Sequence, residues 1–160
     1  MTKTKAQQIM AATEVRAAND VTAAIQDIAA EFEPYIIKQR RHFHKHPELS
    51  LAEERTTSDI ANQLDAMNIP YERPLKTGLV ATLRGTAPDA YREDGTPRRR
   101  ILLRADIDAL PVTEQTGEEF ASVNEGCMHA CGHDCHIAMM LGTLQILRHM
   151  TDDIHGEVRI

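Results

Sequence analysis

Stretches of helical periodicity alternate along this chain with short apolar runs, and the alternation predicts an α/β fold. Apolar residues recur at helical spacing in residues 50–68 and 134–150. Residues 79–84 and 101–103 are short runs that suit strands, and the second is apolar throughout. A half-buried helix repeats its apolar side chains every three to four residues, whereas a fully buried strand is a short continuous apolar run. We therefore expect a sheet with helices packed against it.

Length and composition indicate one globular domain. The chain has 160 residues, of which 42% are apolar and 26% charged, and its formal net charge is −6. This acidic balance argues against nucleic acid as a partner, and the basic run 98–100 is too short to be a binding tail. The start of the chain lacks the continuous apolar segment of a secretion signal. No stretch is long and apolar enough to cross a membrane, so we expect a cytoplasmic protein.

The N-terminal part of the chain is predicted to be helical. Alanine is abundant there, and Pro34 is expected to end the first helix because proline disrupts helix interiors. A second helix is expected from Tyr35 to about Lys45. We therefore divide the chain into an N-terminal helical extension, residues 1–32, and a domain formed by residues 33–160.

The helix that follows has recognisable start and stop signals. Ser50, with Glu53 three residues later, forms a capping-box pattern that predicts the start of the helix. An amphipathic stripe then continues to about Asn68, and Pro70 ends it.

The remaining elements are predicted from local pattern. Residues 79–84 are expected to form a strand, and the polar residues 85–99, with two prolines and an Asp-Gly pair, a loop. The run 101–103 is expected to be a buried strand, and 112–127 an extended loop. After the helix at 134–150, residues 157–160 are expected to be a strand of a sheet that lacks its later strands and therefore has an open, apolar edge. Such an edge favours aggregation, so we expect the isolated chain to be poorly soluble.

The densest chemical signal is a cysteine and histidine cluster in residues 128–136, just before the last predicted helix. It holds three histidines, two cysteines and one aspartate. Thiolate and imidazole are good zinc ligands, and Gly132 would let Cys131 and His133 converge on one point. Asp134 could then orient a ligand imidazole. The alternative is a polar turn that caps a helix, with the cysteines acting as small apolar residues.

The cysteine count supports the metal interpretation. The chain has three cysteines, Cys127, Cys131 and Cys135, all within nine residues. An odd number of closely spaced cysteines is a poor disulfide framework, and no secretion signal is evident. Metal binding or catalysis is therefore the better interpretation.

A second signal is the sequence Asp106-Ile107-Asp108, which directly follows the predicted strand 101–103. Carboxylates at the carboxyl end of a strand in an α/β sheet lie where ligands bind. In an extended Asp-x-Asp segment both side chains point to the same face. The alternative is a strand end with one salt bridge to Arg104, and the pattern alone does not decide between the two.

Three alternating histidines, His42, His44 and His46, form a third candidate. On a helix His42 and His46 share a face, but His44 does not. We therefore favour a helix end that supports a site over a set of metal ligands.

Together these segments resemble one family of metal-dependent amidohydrolases and peptidases. It includes hippurate hydrolases, aminoacylases, indole-acetyl-amino-acid hydrolases and related carboxypeptidases. The resemblance rests on residues 41–54, on the sequence RADIDALP at 104–111 and on MHACGHDCH at 128–136, which occur in the family's order. It covers residues 33 to 160.

The resemblance implies a truncated three-layer catalytic domain like that of the zinc peptidases, with a mixed sheet flanked by helices. Cys131 and His133 match the first two metal ligands of the family. Asp108 matches the carboxylate that orients a ligand and supports the base, and Asp106 is the less favoured holder of that role. The implied cofactors are two divalent metal ions, zinc or manganese most readily, or cobalt or nickel. They hold the water that attacks the amide carbonyl of an N-acyl amino acid.

The resemblance also implies parts that the sequence does not contain. The family's paired glutamates, one of which is the general base, its further ligand histidines and an inserted dimerisation domain are expected after Ile160. The intact protein is expected to be a homodimer, and this chain alone to be inactive. Two rival hypotheses remain: a truncated product without enzymatic activity, and a small metal-binding or redox domain built on the cysteine and histidine cluster.

Overall fold

The structure, a computed structural model, describes the backbone from Lys5 to Ile160 and the side chains from Asp20 onward. Three α-helices and a four-stranded sheet are present in that range, and a short 3-10 turn, Thr151–Asp153, precedes the last strand. The helices are α1 (Lys5–Lys45), α2 (Glu54–Met67) and α3 (His133–Arg148), and the strands are β1 (Tyr71–Glu72), β2 (Val80–Arg84), β3 (Arg100–Leu102) and β4 (Glu157–Arg159).

The sheet is mixed, with the strand order β1-β2-β4-β3. β1 pairs with β2 and β2 with β4 in antiparallel fashion, whereas β4 and β3 are parallel. In the register of β2 and β4, Leu83 lies opposite Val158. The predicted α/β class with a mixed sheet is confirmed.

One apolar core joins all three helices to the sheet. α2 and α3 supply most of it, and the inward side chains of β2 complete it from the sheet side. Its buried members are Phe43, Ile60, Leu64, Met67, Ile69, Ala81, Leu83, Ile137, Leu141, Leu144 and Val158. The predicted stripe of α3 is confirmed, because Ile137, Leu141 and Leu144 are all buried in this core.

The predicted break at Pro34 is wrong, because α1 passes through this residue without interruption. A proline inside a helix removes one backbone hydrogen bond and costs about 3 kcal/mol. Pro34 is exposed, and tertiary contacts on both sides of it offset that cost. The Phe32 ring lies 5.5 Å from that of His149 between centroids, and the Tyr35 hydroxyl donates to Gln63 at 3.0 Å. A domain boundary at residue 32 stays a prediction.

The predicted capping box at Ser50 is also wrong. α2 begins at Glu54, and Glu53, in the N-cap position, makes no side-chain capping bond. The carboxylate of Glu48 caps the helix instead, accepting from the backbone N–H of Thr56 at 2.7 Å and of Arg55 at 3.2 Å. A carboxylate at the N-terminus satisfies free N–H groups and complements the helix dipole. The predicted end is confirmed, because Asn68 closes the helix in the left-handed conformation.

The strand predictions are correct in position but not always in burial. β2 and β4 lie where they are expected, whereas the two-residue strand β1 escaped prediction. The run at 101–103 overlaps β3, but Ile101 and Leu102 are 55% and 72% exposed. Among the described strands β3 pairs with β4 alone, and β4 lies between β2 and β3. The open, apolar edge expected of the sheet lies at β3, whereas β4 is an inner strand.

A close approach fixes α1 against α3. Gly142 is buried in the middle of α3, and a Cβ atom at this position would lie 2.7 Å from side-chain carbons of Ile36. Glycine weakens a helix interior by roughly 1 kcal/mol relative to alanine, so its presence here is explained by the space that α1 occupies. In the part of the chain that the structure describes, no helix has the length and apolar character needed to cross a bilayer.

Replacing Leu64 by alanine tests the position of the core. Leu64 is 1% exposed in the middle of the cluster, so the substitution leaves a cavity and should lower the free energy of unfolding by about 2–5 kcal/mol. The matched control is Leu75→Ala, at a side chain that is 75% exposed, which should change it little. Urea unfolding of both variants measures the difference, and equal effects would contradict the core described here.

Candidate metal centre

The aspartates that follow β3 lie next to the first turn of α3. The segment after Asp108 pairs with the turn before α3 through two hydrogen bonds of 3.0 Å between the backbones of Leu110 and Met128. Gly132 then adopts a left-handed conformation, with φ of 80°, and α3 begins at His133. Glycine adopts this conformation without a steric penalty, which lets the chain turn sharply into the helix.

His133 is held by Asp108 from behind. Its Nδ1 lies 3.0 Å from Oδ1 of Asp108 and 2.9 Å from the backbone oxygen of the same residue. Since both partners only accept, Nδ1 carries the proton and Nε2 has a free lone pair. A histidine that donates one nitrogen to a carboxylate and offers the other is the usual arrangement of a metal ligand.

Two further donor residues, Asp106 and His136, lie close to this imidazole. One ligand atom each from Asp106, His133 and His136 lies within 4.8 Å of the others, and all three residues are half-buried. The rings of His133 and His136 stack with centroids 5.1 Å apart. One carboxylate and two imidazoles are ligands that zinc and related divalent ions accept. The residues present therefore fit such an ion.

The structure brings together some of the predicted site residues. Asp106 and His133 belong to this group, and Asp108 supports His133. Cys131 is exposed and lies outside the group of three, although the turn that carries it leads directly into α3. Arg104 pairs with Asp106 at 2.6 Å, which is the salt bridge that the alternative interpretation of this segment, a simple strand end, predicted. The roles of Cys131, His133, Asp106 and Asp108 stay predictions.

His136 is the member of the group that was not predicted as a ligand. It lies three residues after His133, and residues separated by three share a face of a helix. This spacing was visible in the sequence and could have identified it. The predicted role of Asp134 in orienting a ligand imidazole is not what the structure shows, because Asp134 hydrogen-bonds to His44 instead.

A buried polar cluster lies behind the first turn of α3. The Asp134 side chain is 1% exposed, and its Oδ2 accepts from His44 Nδ1 at 2.7 Å and from Arg40 Nε at 2.9 Å. The other nitrogen of His44 lies 3.1 Å from Oε1 of Glu114. A buried carboxylate needs a partner of opposite charge or several hydrogen bonds, and Asp134 has both.

Hydrogen bonds keep Glu114 ionised in this buried position. Burial alone would raise the pKa of its carboxyl group. The backbone N–H of Ser122, the hydroxyl of Thr116 and the ring of His44 donate to the carboxylate and together lower the pKa to about 2. Because these bonds favour the charged form, they outweigh the cost of desolvation.

The three alternating histidines have different surroundings. His44 is buried between carboxylates, whereas the half-buried His42 contacts Asp59 at 2.8 Å. The Nδ1 atom of His46 has no hydrogen-bond partner among the described residues. The rings of His42 and His46 lie against each other with centroids 5.3 Å apart, and His44 is bonded elsewhere; that the three support a site stays a prediction.

His129 is buried without a hydrogen bond. The residue is 4% exposed, and neither ring nitrogen has a partner among the described side chains and backbone groups. Burial lowers its pKa, which favours the neutral ring. An unsatisfied buried imidazole costs about 1–3 kcal/mol unless water or an ion meets it. It lies near the charges of Asp134 and Asp108, beside the candidate metal centre.

Comparison with known proteins gives matches over most of the chain. Residues 102–160 match the model of peptidase family M20/M25/M40. The chain is 43% identical over 136 residues to the N-acyl-L-amino acid amidohydrolase of Geobacillus stearothermophilus, covering 84% of this chain and 34% of that protein. It is also 43% identical over 133 residues to the N-acetylcysteine deacetylase of Bacillus subtilis, covering 80% and 32%.

A solved structure gives the same result. The crystal structure of a dinuclear metal binding peptidase from the M20 family of Bacillus subtilis matches with a TM-score of 0.72 and 42% sequence identity. The match covers 81% of this chain and 35% of that one. The chain thus spans about a third of the length of these relatives.

In fold and in sequence, the chain is similar to amidohydrolases and metal-binding peptidases. Both the family model that residues 102–160 match and the solved structure belong to peptidase family M20.

The lowered pKa of Glu114 predicts an acid-sensitive contribution to stability. The carboxyl titrates near its ordinary value of 4.5 in the unfolded chain and at about 2 in the folded one. The unfolded state therefore binds the proton first, and the contribution, complete above pH 4.5, is lost as the pH falls towards 2. Urea unfolding above and below pH 4.5 should show that the free energy of unfolding falls less in acid for Glu114→Gln than for the parent.

The control for this experiment is Glu119→Gln, which removes an exposed carboxyl group from the same loop. If Glu114→Gln lost stability in acid as steeply as the parent and the control do, the Glu114 carboxylate would not make the hydrogen bonds described.

Proposed function

We propose that the protein containing this chain hydrolyses the amide bond of N-acyl amino acids with a metal-activated water. The observation that carries the proposal is the group formed by Asp106, His133 and His136, with Asp108 hydrogen-bonded behind His133. The names of the relatives, an amidohydrolase and a deacetylase that both act on N-acyl groups, support the substrate class.

The residues of this chain would bind and orient the metal ions. Two divalent ions would lower the pKa of a bound water and polarise the amide carbonyl. His133 offers Nε2 because Asp108 occupies Nδ1, and Cys131 is the second ligand that the family resemblance implies. His136 and Asp106 lie close enough to His133 to share an ion with it. Asp108 orients the ligand and, as the resemblance implies, supports the general base.

Several finer features belong to the same proposal. Zinc and manganese are the ions expected first, and cobalt and nickel are alternatives, because imidazole and carboxylate ligands accept all of them. The family resemblance implies a homodimer, and the acidic composition suits a cytoplasmic protein. A peptide is the second substrate candidate, since the solved relative is described as a peptidase.

Metal binding tests the proposed centre directly. His133→Ala should lower zinc or manganese affinity the most, because it removes a ligand. Asp108→Asn should lower it by about 10–100-fold, which is typical when a carboxylate behind a ligand is lost. His155→Ala, at an exposed histidine paired with Asp89 elsewhere, is the control. Equilibrium dialysis measures the affinities, and equal values in the parent and His133→Ala would refute the centre.

The 160-residue chain should not hydrolyse N-acyl amino acids at a useful rate. A missing general base alone costs on the order of 10²–10⁴-fold in rate, and the resemblance implies that the base and further ligands follow Ile160. Amino acid release from N-acetyl and N-benzoyl substrates is the assay. Release that a chelator abolishes would show that the chain carries a complete site of its own.

A further inference from the structure

A continuous chain of hydrogen bonds, partly buried at Glu114 and buried at Asp134, leads from the loop at Glu114 to the first turn of α3. It passes through His44, which lies in the last turn of α1. On one side His44 Nε2 meets Glu114 at 3.1 Å, and on the other Nδ1 meets Asp134 at 2.7 Å. The His44 and Asp134 side chains are separated by 90 positions in the sequence, so their contact ties together two distant segments of the chain.

Asp134 transmits this contact to the donor group. It directly follows His133, and its Oδ1 accepts from the backbone N–H of Cys135 at 2.9 Å. One carboxylate thus binds the first turn of α3 with one oxygen and α1 with the other. The direction of His133 and His136 depends on the rotation of that turn, because both side chains project from it.

His44 is unable to turn away from these partners. Both ring nitrogens lie within hydrogen-bond distance of a carboxylate oxygen, one of Asp134 and one of Glu114. The Phe120 ring packs edge-on against the imidazole with centroids 5.5 Å apart. The residue is 4% exposed, so water offers no competing hydrogen bond.

We propose that His44 is a positioning residue for the metal centre: through Asp134 it holds the first turn of α3 in the rotation that directs His133 towards the ion. The proposal rests on the proposed function, since it takes His133 as a ligand. It assigns no ligand role to His44, whose two nitrogens are already occupied. Without His44, Arg40 alone would hold Asp134 to α1, and the rotation of the turn that carries His133 would be less well defined.

Two isosteric variants separate the two hydrogen bonds of His44. The amide nitrogen of asparagine takes approximately the position of Nδ1, so His44→Asn keeps the donation to Asp134. The amide nitrogen of glutamine approximates Nε2, so His44→Gln keeps the donation to Glu114 only. His44→Ala removes both, and His42→Ala, in the same helix turn but bonded to Asp59, is the matched control.

Zinc affinity and the ¹⁵N shifts of the His133 imidazole are measured on all four variants and the parent, together with urea unfolding. We expect His44→Ala and His44→Gln to lose about 10–100-fold in affinity, as is typical when support for a metal ligand is removed. Both should also lose the parent's His133 shifts, whereas His44→Asn and His42→Ala should retain affinity and shifts. If His44 only stabilised the fold, its variants would have lower unfolding midpoints, but His44→Asn and His44→Gln would not differ in zinc affinity or in the His133 shifts.

Affinity that falls equally in His44→Asn and His44→Gln, or that stays at the parent value in His44→Ala, would overturn the proposal. Should His44→Ala fail to fold, the asparagine and glutamine pair decides alone. A parent chain that binds no zinc would refute the proposed metal centre. The His133 shifts, recorded without metal, would still test whether His44 positions that ring, so the two failures are distinguishable.

Discussion

The buried contact of Asp134 with Arg40 and His44 is the interaction on which the arrangement of this chain depends. A carboxylate removed from water is strongly destabilising unless cations or hydrogen bonds compensate it. Both of its side-chain partners come from α1, so burying Asp134 requires α1 to lie across the start of α3. Apolar packing alone would tolerate sliding of one helix along the other. The polar contact fixes one position, and the candidate ligands of α3 are fixed with it.

The site therefore has two layers: buried residues that hold the first turn of α3, and half-buried residues that could bind an ion. Asp134 and His44 are buried and fully hydrogen-bonded, whereas Asp106, His133 and His136 are half-buried and keep unused lone pairs. A site that binds ions needs ligands that solvent and substrate can reach, and ligands that can be reached are mobile unless something behind them is rigid. The strand end before Asp106 and the first turn of α3 provide this rigidity from two directions.

Sequence reasoning succeeded where structure depends on local pattern. The positions of α3, β2 and β4 follow from spacing within single segments, and the Asp-x-Asp and cysteine–histidine motifs could be recognised because each is continuous. Sequence reasoning failed where a contact with a residue distant in the sequence determines the local structure. Pro34 does not end α1 because contacts on both sides of it hold the helix, and Glu48 rather than Ser50 caps α2 because a loop brings its carboxylate there.

The same limit applies to the site. The exposure of β3 depends on its place at the edge of the sheet, which the composition of the strand does not reveal. The contact between His44 and Asp134 spans 90 positions, and no periodicity connects them. His136 differs, because its spacing from His133 was local information.

The close contact between Gly142 and Ile36 limits how this protein can diverge. A methyl group at position 142 would meet the Ile36 side chain at 2.7 Å, so a larger residue there requires a smaller one at position 36, or α1 must move away. α1 also contacts Asp134, which lies about 12 Å from Gly142 along α3 at 1.5 Å per residue. A movement of α1 would therefore also displace the first turn of α3, which carries His133 and His136. The two positions should therefore co-vary among homologous sequences, and a change at one without the other should be rare even though neither residue touches the proposed ions.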